Sequence, residues 1–519
     1  MKHFFTTIAL CILAVGVAVG CNTEGENVKP VVIVINNDEF AVNEDGGEFY
    51  TDYEIDTELL PEIECSETWV EGINITDGRV LFRVMPNATD KSRVANILLK
   101  SGKESATIAI KQCCASENID IFPYTSTADV PYRIPAISVT PDGTMVCVAD
   151  YRHCASDIGV IKNGRIDLHY RMSHDNGATW SEIKTLIEGK GAASEDFMNV
   201  GYGDPAIIAD RTSNRVLVLS CAGNVSFQNG TRQIHQNVAR FYSEDGGKTW
   251  SQPDDIAESI YSMFDNSTYG PIRSMFIASG AIYQSRSVKI GNYYRLYCAL
   301  LARSNVAKHM NYVIYSDDFG KTWHLLGDAN EPAVYNTADE AKVVELPDGS
   351  LLISSRYNGG RYYNIYNFSD VTTAAGIWAT AAFSGASNNG VEAKDNSTNG
   401  EVMLVPAVRQ ADGAKVDLLL QSLPLGPERN NVGIYYKALA SELDYVSPNS
   451  VAANWEGVMQ VSKLGGAYST MAWQANNSIA FFCEEVTYGV DPFKYGGYNL
   501  VYRNYTIEQL TNNLYRSAK

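Results

Sequence analysis

Three arginines stand far apart in the chain: Arg133 in Tyr132-Arg133-Ile134-Pro135, Arg356 beyond the run Glu340-Ala341-Lys342-Val343-Val344-Glu345-Leu346-Pro347-Asp348-Gly349, and Arg429 after Leu423-Pro424-Leu425-Gly426-Pro427-Glu428. A guanidinium is a planar, permanently charged fork, and three of them aimed at one point suit a carboxylate, which bidentate pairing both orients and holds. Tyr468, in Ala467-Tyr468-Ser469, offers a hydroxyl that reaches an electrophile uncharged and is activated by a neighbouring glutamate. Such a nucleophile suits a centre already flanked by negative charge, which would repel a carboxylate. Singly, each residue has a plainer reading. An Arg or Glu at a strand end is usually solvated, and one tyrosine among 31 usually packs in a core.

The elements that position such a set can be read from a repeat in the region 113–519. Ser173-His174-Asp175-Asn176-Gly177-Ala178-Thr179-Trp180 recurs as Ser243-Glu244-Asp245-Gly246-Gly247-Lys248-Thr249-Trp250 and as Ser316-Asp317-Asp318-Phe319-Gly320-Lys321-Thr322-Trp323. Ser and Asp side chains close a turn on the backbone, Gly supplies a positive φ, and Trp fills the apolar space beside it. The box is therefore structural, and its period fits one β unit per copy, as in a propeller. From 31 to 112, short alternating runs such as Arg79-Val80-Leu81-Phe82-Arg83-Val84 and Ala106-Thr107-Ile108-Ala109-Ile110 predict a small β-sandwich. Residues 1–20 read as an export signal: a basic start at Lys2, then an apolar run too short to span a bilayer, ending in Ala18-Val19-Gly20-Cys21. That ending resembles a bacterial lipobox, which would make Cys21 the lipidated first residue of the mature protein, with 21–30 as a polar tether.

The boxes, the Tyr-Arg-Ile-Pro run and the late Ala-Tyr-Ser, in this order, resemble the sialidase (neuraminidase) family over nearly all of 113–519. The resemblance implies an all-β fold, a six-bladed β-propeller with its site at the central mouth. It implies that Arg133, Arg356 and Arg429 hold the substrate carboxylate, that Tyr468 is the nucleophile, and that Glu340 rather than Glu345 is its partner. In Ala149-Asp150-Tyr151-Arg152, Arg152 would lie on the pocket floor near the 4-position of the sugar. Asp157, in Arg152-His153-Cys154-Ala155-Ser156-Asp157, would be the acid/base, and Asp204, in Gly203-Asp204-Pro205-Ala206, would face the N-acyl side. Glu484, in Ile479-Ala480-Phe481-Phe482-Cys483-Glu484, would orient Arg133. Sequence departures from the family are Tyr132 for the commoner Phe, Cys483 for an aromatic, and only three clear boxes. With Trp69 and the closing Ile110-Lys111-Gln112, the region 31–112 resembles the Bacteroidetes-associated carbohydrate-binding often N-terminal domain, which implies a glycan-binding module or a spacer.

The implied activity is exo-α-sialidase: hydrolysis with retention of terminal α-linked sialic acids on glycoproteins, glycolipids or oligosaccharides, without a cofactor. The alternatives are a trans-sialidase or intramolecular trans-sialidase on the same fold, and a non-catalytic sialoglycan-binding propeller. A net charge of −19 disfavours nucleic acid. Seven histidines form no His-Glu-x-x-His spacing, and no P-loop or Gly-x-Ser-x-Gly run occurs, so metal, nucleotide and serine-hydrolase chemistry lack their residues. Apart from Cys11 and Cys21, the cysteines are Cys65, Cys113, Cys114, Cys147, Cys154, Cys221, Cys298 and Cys483, with no Cys-x-x-Cys pair; most are expected as buried thiols. The expected product is a monomeric lipoprotein of the cell envelope, touching the membrane only through its anchor.

Overall fold

The computed structural model describes residues 32–518 apart from 43, 57–59, 77, 90–92, 113–120, 128–129, 155, 396–397, 463 and 487–497. The export signal, Cys21, the tether and the Cys113-Cys114 pair lie outside the described residues. The protein is all-β: the α-helices among the described residues are single turns of four or five residues. None is long and apolar enough to cross a membrane. Cys147, Cys221, Cys298 and Cys483 are buried free thiols, while Cys65 and Cys154 are half-buried.

Between residues 33 and 112 the alternating runs form two four-stranded sheets. The strand Arg79–Val84 shows the period directly: Val80, Phe82 and Val84 are buried while Arg79, Leu81 and Arg83 are exposed. The buried set joins Phe40, Phe49, Ile97, Leu99, Ile108 and Ile110 in one core shared by both sheets. Trp69 packs against that core, with the Arg93 guanidinium 4.3 Å from its ring centroid.

Six sheets of four to six strands follow between 121 and 517. Their first strands in the order of the meander are Tyr132–Val139, Tyr202–Ala209, Ser274–Ile277, Ala341–Glu345, Val402–Arg409 and Gly466–Trp473. Each sheet packs on the next, and the sixth returns to the first. The inner strands are largely buried on both faces, so they read as apolar runs rather than alternations; Val216–Ala222, the second strand of the second sheet, is buried throughout. The circuit is tied at both chain ends. Ile121–Tyr124, which precedes the first sheet, pairs as the outer strand of the sixth, against Asn499–Tyr505. Tyr515–Ser517 pairs with Val402–Arg409 in the fifth.

The three boxes sit on the turn between the third and fourth strands of the first three sheets. In each, the Ser hydroxyl accepts the Gly N–H (Gly177, Gly247, Gly320; 2.8–2.9 Å), and an Asp oxygen accepts the Thr N–H four residues on. The three glycines have φ of 86°, 93° and 80°. The turn also reaches outside its own sheet. A tyrosine on the third strand of the preceding sheet donates its hydroxyl to a box carbonyl: Tyr502 to Asn176, Tyr170 to Lys248, and Tyr242 to Phe319, at 2.9–3.0 Å.

Candidate active site

First strands carry Arg133, Asp204 and Tyr468 and are bulged beside them, whereas Arg152, Arg356 and Glu484 stand on second strands and Asp157, Glu340 and Arg429 lie outside the strands. Register shifts fall between Arg133 and Ala136, between Gly203 and Ala206, and between Gly466 and Ser469. A bulge re-aims a side chain by inserting an unpaired residue into the ladder. Here the bulges hold Ile134, Asp204 and Tyr468, with Ile134 at φ 57° and Asp204 at φ 52°. A β-branched residue in the left-handed region is strained, at a cost of about 1–3 kcal/mol, and is kept there only by its surroundings.

Two buried acids, each on the second strand of its sheet, supply that hold. Glu484 accepts the N–H of Ile134 (2.9 Å) and of Tyr468 (3.1 Å) and pairs with the Arg133 fork at 2.6 and 3.2 Å. Asp150 accepts the Asp204 N–H at 3.0 Å and pairs with Arg152 Nε and Nη2 at 3.0 and 2.8 Å. Each acid therefore fixes the bulge on the next sheet together with one arginine. Burial pushes the Asp150 carboxyl up to about 6 against the pull of Arg152.

The side chains meet in a cavity of about 280 Å³ lined by Arg133, Asp157, Asp204, Glu340, Arg356, Arg429 and Tyr468. At its base the Tyr468 hydroxyl donates to Glu340, whose oxygens lie 3.0 and 3.1 Å away. Arg356 Nη1 donates to Glu340 Oε2 at 2.8 Å and to the Tyr468 hydroxyl at 3.3 Å. The Arg133 and Arg429 guanidinium carbons lie 5.9 and 6.0 Å from the Tyr468 ring centroid. Burial, then the Glu340 charge, raises Tyr468 well above the ordinary phenol range, and burial raises Glu340 against the pull of Arg356. Such a pair holds a neutral phenol beside a base strengthened by burial.

Asp157 occupies the opposite condition. Its side chain is 70% exposed, Arg152 Nη1 lies 2.6 Å from its Oδ1, and that cation holds its carboxyl below the usual range. Arg152 itself is buried behind the cavity lining, its fork divided between Asp150 and Asp157. Asp204 is raised well above the ordinary carboxylate range, by burial first and by the Asp150 charge second.

All nine singled-out residues of 113–519 thus line or directly support one cavity, while Cys21 lies outside the described residues. Glu345 is elsewhere: buried at its strand end, it accepts from the Ser285 and Ser287 hydroxyls and the Arg286 N–H. Residues that sequence reasoning passed over include Asp150, which stood in plain view two places before Arg152. Asp339 lines the cavity and accepts the Glu340 N–H at 3.0 Å. Ile158, Val160, Phe227, Phe276 and Leu301 give the cavity apolar lining, and no spacing in the sequence groups them.

Comparison with known proteins points the same way. Over 237 residues the chain is 33% identical to a sialidase of Micromonospora viridifaciens, a match covering 43% of this chain and 32% of that protein, so it spans about a third of that relative's length. It is 24% identical over 359 residues to a sialidase of Clostridium perfringens, covering 67% of this chain and 84% of the other. Among solved structures, the intramolecular trans-sialidase from Ruminococcus gnavus superposes with a TM-score of 0.57 at 17% identity, covering 75% of this chain and 98% of that one, a likeness of fold. The family model described as the BNR repeat-like domain matches residues 135–422, more than half of the chain, and the protein belongs to that family.

Proposed function

We propose that this protein is an exo-α-sialidase that releases terminal α-linked sialic acids with retention, through a covalent intermediate on Tyr468. The observation that carries the reading is the Tyr468–Glu340 hydrogen bond at the base of a cavity also lined by Arg133, Arg356 and Arg429. The six sheets are read as blades of a propeller spanning 113–519, and 31–112 as a β-sandwich that binds glycan or acts as a spacer. Export and lipidation at Cys21 would hold a monomer at the cell envelope.

In the first step the arginines take the substrate carboxylate. Tyr468 Oη bonds to the anomeric carbon as its proton passes to Glu340, and the glycosidic bond breaks with its electron pair going to the leaving oxygen. Asp157 supplies that oxygen with a proton. Because Tyr468 is raised, proton transfer accompanies attack rather than preceding it. Paired with Arg152, Asp157 is held as a carboxylate, so it takes up a proton from solvent before it donates one. In the second step Asp157 deprotonates water, which attacks the same carbon; the Tyr468 oxygen leaves and regains its proton from Glu340. Two inversions give retention.

Hydrolysis of a fluorogenic α-sialoside by wild type beside Tyr468→Phe is the direct test. Activity should fall to background in the variant, and equal rates would remove Tyr468 from the reaction. Free hydrated sialic acid is the expected product. An internal anhydro sugar would instead assign the protein to the intramolecular transglycosidases.

A further inference from the structure

Beneath the cavity lies a buried ionic knot that no step above uses. Glu401, which heads the strand Val402–Arg409 in the fifth sheet, is 3% exposed and Lys342 is 2% exposed. A single oxygen of Glu401, Oε2, gathers three other sheets. It accepts the Ala281 N–H of the second at 3.1 Å and the Thr470 hydroxyl of the sixth at 2.9 Å, and it lies 3.6 Å from Lys342 Nζ of the fourth. Lys342 Nζ also donates to the Ser279 carbonyl, which accepts from Asn399 Nδ2 as well. The approach is so close that a Cβ on Gly280, at φ 101°, would meet Lys342 Nζ at 2.6 Å and Glu401 Oε2 at 3.2 Å.

The arrangement matters because of what stands two residues away. Lys342 follows Glu340 by two places, and Thr470 follows Tyr468 by two places. The strand that follows Glu340 and the strand that carries Tyr468 are thus pinned to one carboxylate oxygen, two residues along the chain from each half of the reacting pair. Nothing else among the described residues binds a side chain of Ala341–Glu345 and one of Gly466–Trp473 to a shared atom below the Glu340–Tyr468 contact. Removal of either ion would leave the other buried and alone, so the knot is costly to break and is kept together as a unit.

We propose that Glu401, with Lys342 and Thr470, is a positioning group that sets the Tyr468–Glu340 separation and so governs the attack step without touching substrate. The proposal rests on the sialidase reading. The least disruptive probe is Thr470→Val, which removes one hydroxyl at constant shape and leaves both ions in place. With a fluorogenic α-sialoside, Thr470→Val should lower kcat roughly ten- to hundredfold, the scale of loss for a reacting group misplaced by about an ångström. KM should stay within about twofold, since the arginines are untouched. Thr470→Ser should restore kcat. A folded Thr470→Val protein with wild-type kcat, a loss confined to KM, or no recovery in Thr470→Ser would overturn the proposal. A crystal structure of Thr470→Val supplies a readout that needs no activity: the Tyr468 Oη to Glu340 separation should open beyond hydrogen-bond reach, and an unchanged contact would also overturn it. Inactive wild-type protein would sink the sialidase reading alone, and the structural comparison would still decide the role of Glu401.

Discussion

At the scale of single residues the site is a set of charges whose neighbours decide what each can do. Asp157 and Asp204 are both aspartates on the cavity wall, yet Arg152 holds one below its ordinary range while burial holds the other above it. If Asp157 is the proton donor, Asp157→Asn should slow release of sialic acid from sialyllactose by roughly 10²- to 10⁴-fold, the usual worth of a general acid. An aryl sialoside, whose leaving group departs as a stable anion, should lose far less. Similar losses on the two substrates, read from initial rates, would assign Asp157 another task. Arg356 is less simple than a carboxylate clamp, because its Nη1 also holds Glu340 and Tyr468. The substitution of Tyr132 for the family's commoner Phe is likewise accounted for: its hydroxyl lies 2.8 Å from His169 Nδ1, so the added polar group is bonded rather than stranded.

At the scale of elements, the boxes prove to be joints between sheets as well as turns within them. Gly247 faces Val146 of the preceding sheet, and a Cβ there would lie 2.9 Å from its side chain, whereas one on the adjacent Gly246 would meet nothing within 4 Å. Both glycines have positive φ, 76° and 93°. Gly246→Ala should therefore cost only the left-handed strain of about 1–2 kcal/mol. Gly247→Ala adds overpacking, typically about 1–3 kcal/mol more. Thermal unfolding of the two variants should rank them in that order, and a reversed order would mean that the box does not bear on its neighbour. The turn chemistry of the boxes was legible in the sequence because Ser, Asp, Gly and Thr meet within one short segment. The tyrosine bonds to their carbonyls were not legible. Tyr170 and Lys248 are 78 residues apart and Tyr502 and Asn176 are 326 apart, and nothing marks those tyrosines among 31.

At the scale of the whole molecule, stability should depend on pH through groups that the fold has desolvated. Burial lowers His169 from 6.5 to about 4, with Asp167 opposing and His153 and Arg165 reinforcing the shift. A lowered folded value means that its contribution is intact above 6.5 and is lost as pH falls through 4, by on the order of 3 kcal/mol. Asp150, raised to about 6, has the opposite sign: its contribution is present at low pH and is lost as pH rises through 6. Comparing wild type with His169→Asn cancels Asp150, so the variant should gain on wild type in unfolding midpoint between pH 7 and pH 4.5. A constant gap would contradict a buried neutral imidazole.

The site's main residues were legible in sequence because Arg133, Arg152, Tyr468 and their neighbours lie in contiguous runs. Glu401 and Lys342 were not legible as a unit, since four sheets have to converge before they meet. The net charge of −19 is likewise a poor guide to the cavity, where three arginines act within a distance that salt does not screen.

The pairing of Ile121–Tyr124 with Asn499–Tyr505 has a bearing on assembly in time. Tyr502 also donates to the first box, and the same sheet carries Glu484, which fixes Arg133 and Tyr468. Joining segments so distant costs only logarithmically more entropy than joining near ones, but such contacts come slowly. A chain emerging from its N-terminus can complete the middle sheets in passing, yet Arg133 and Tyr468 are held in place only once the strand carrying Glu484 has followed. The groups gathered at the cavity thus take their places only when the sixth sheet meets the first.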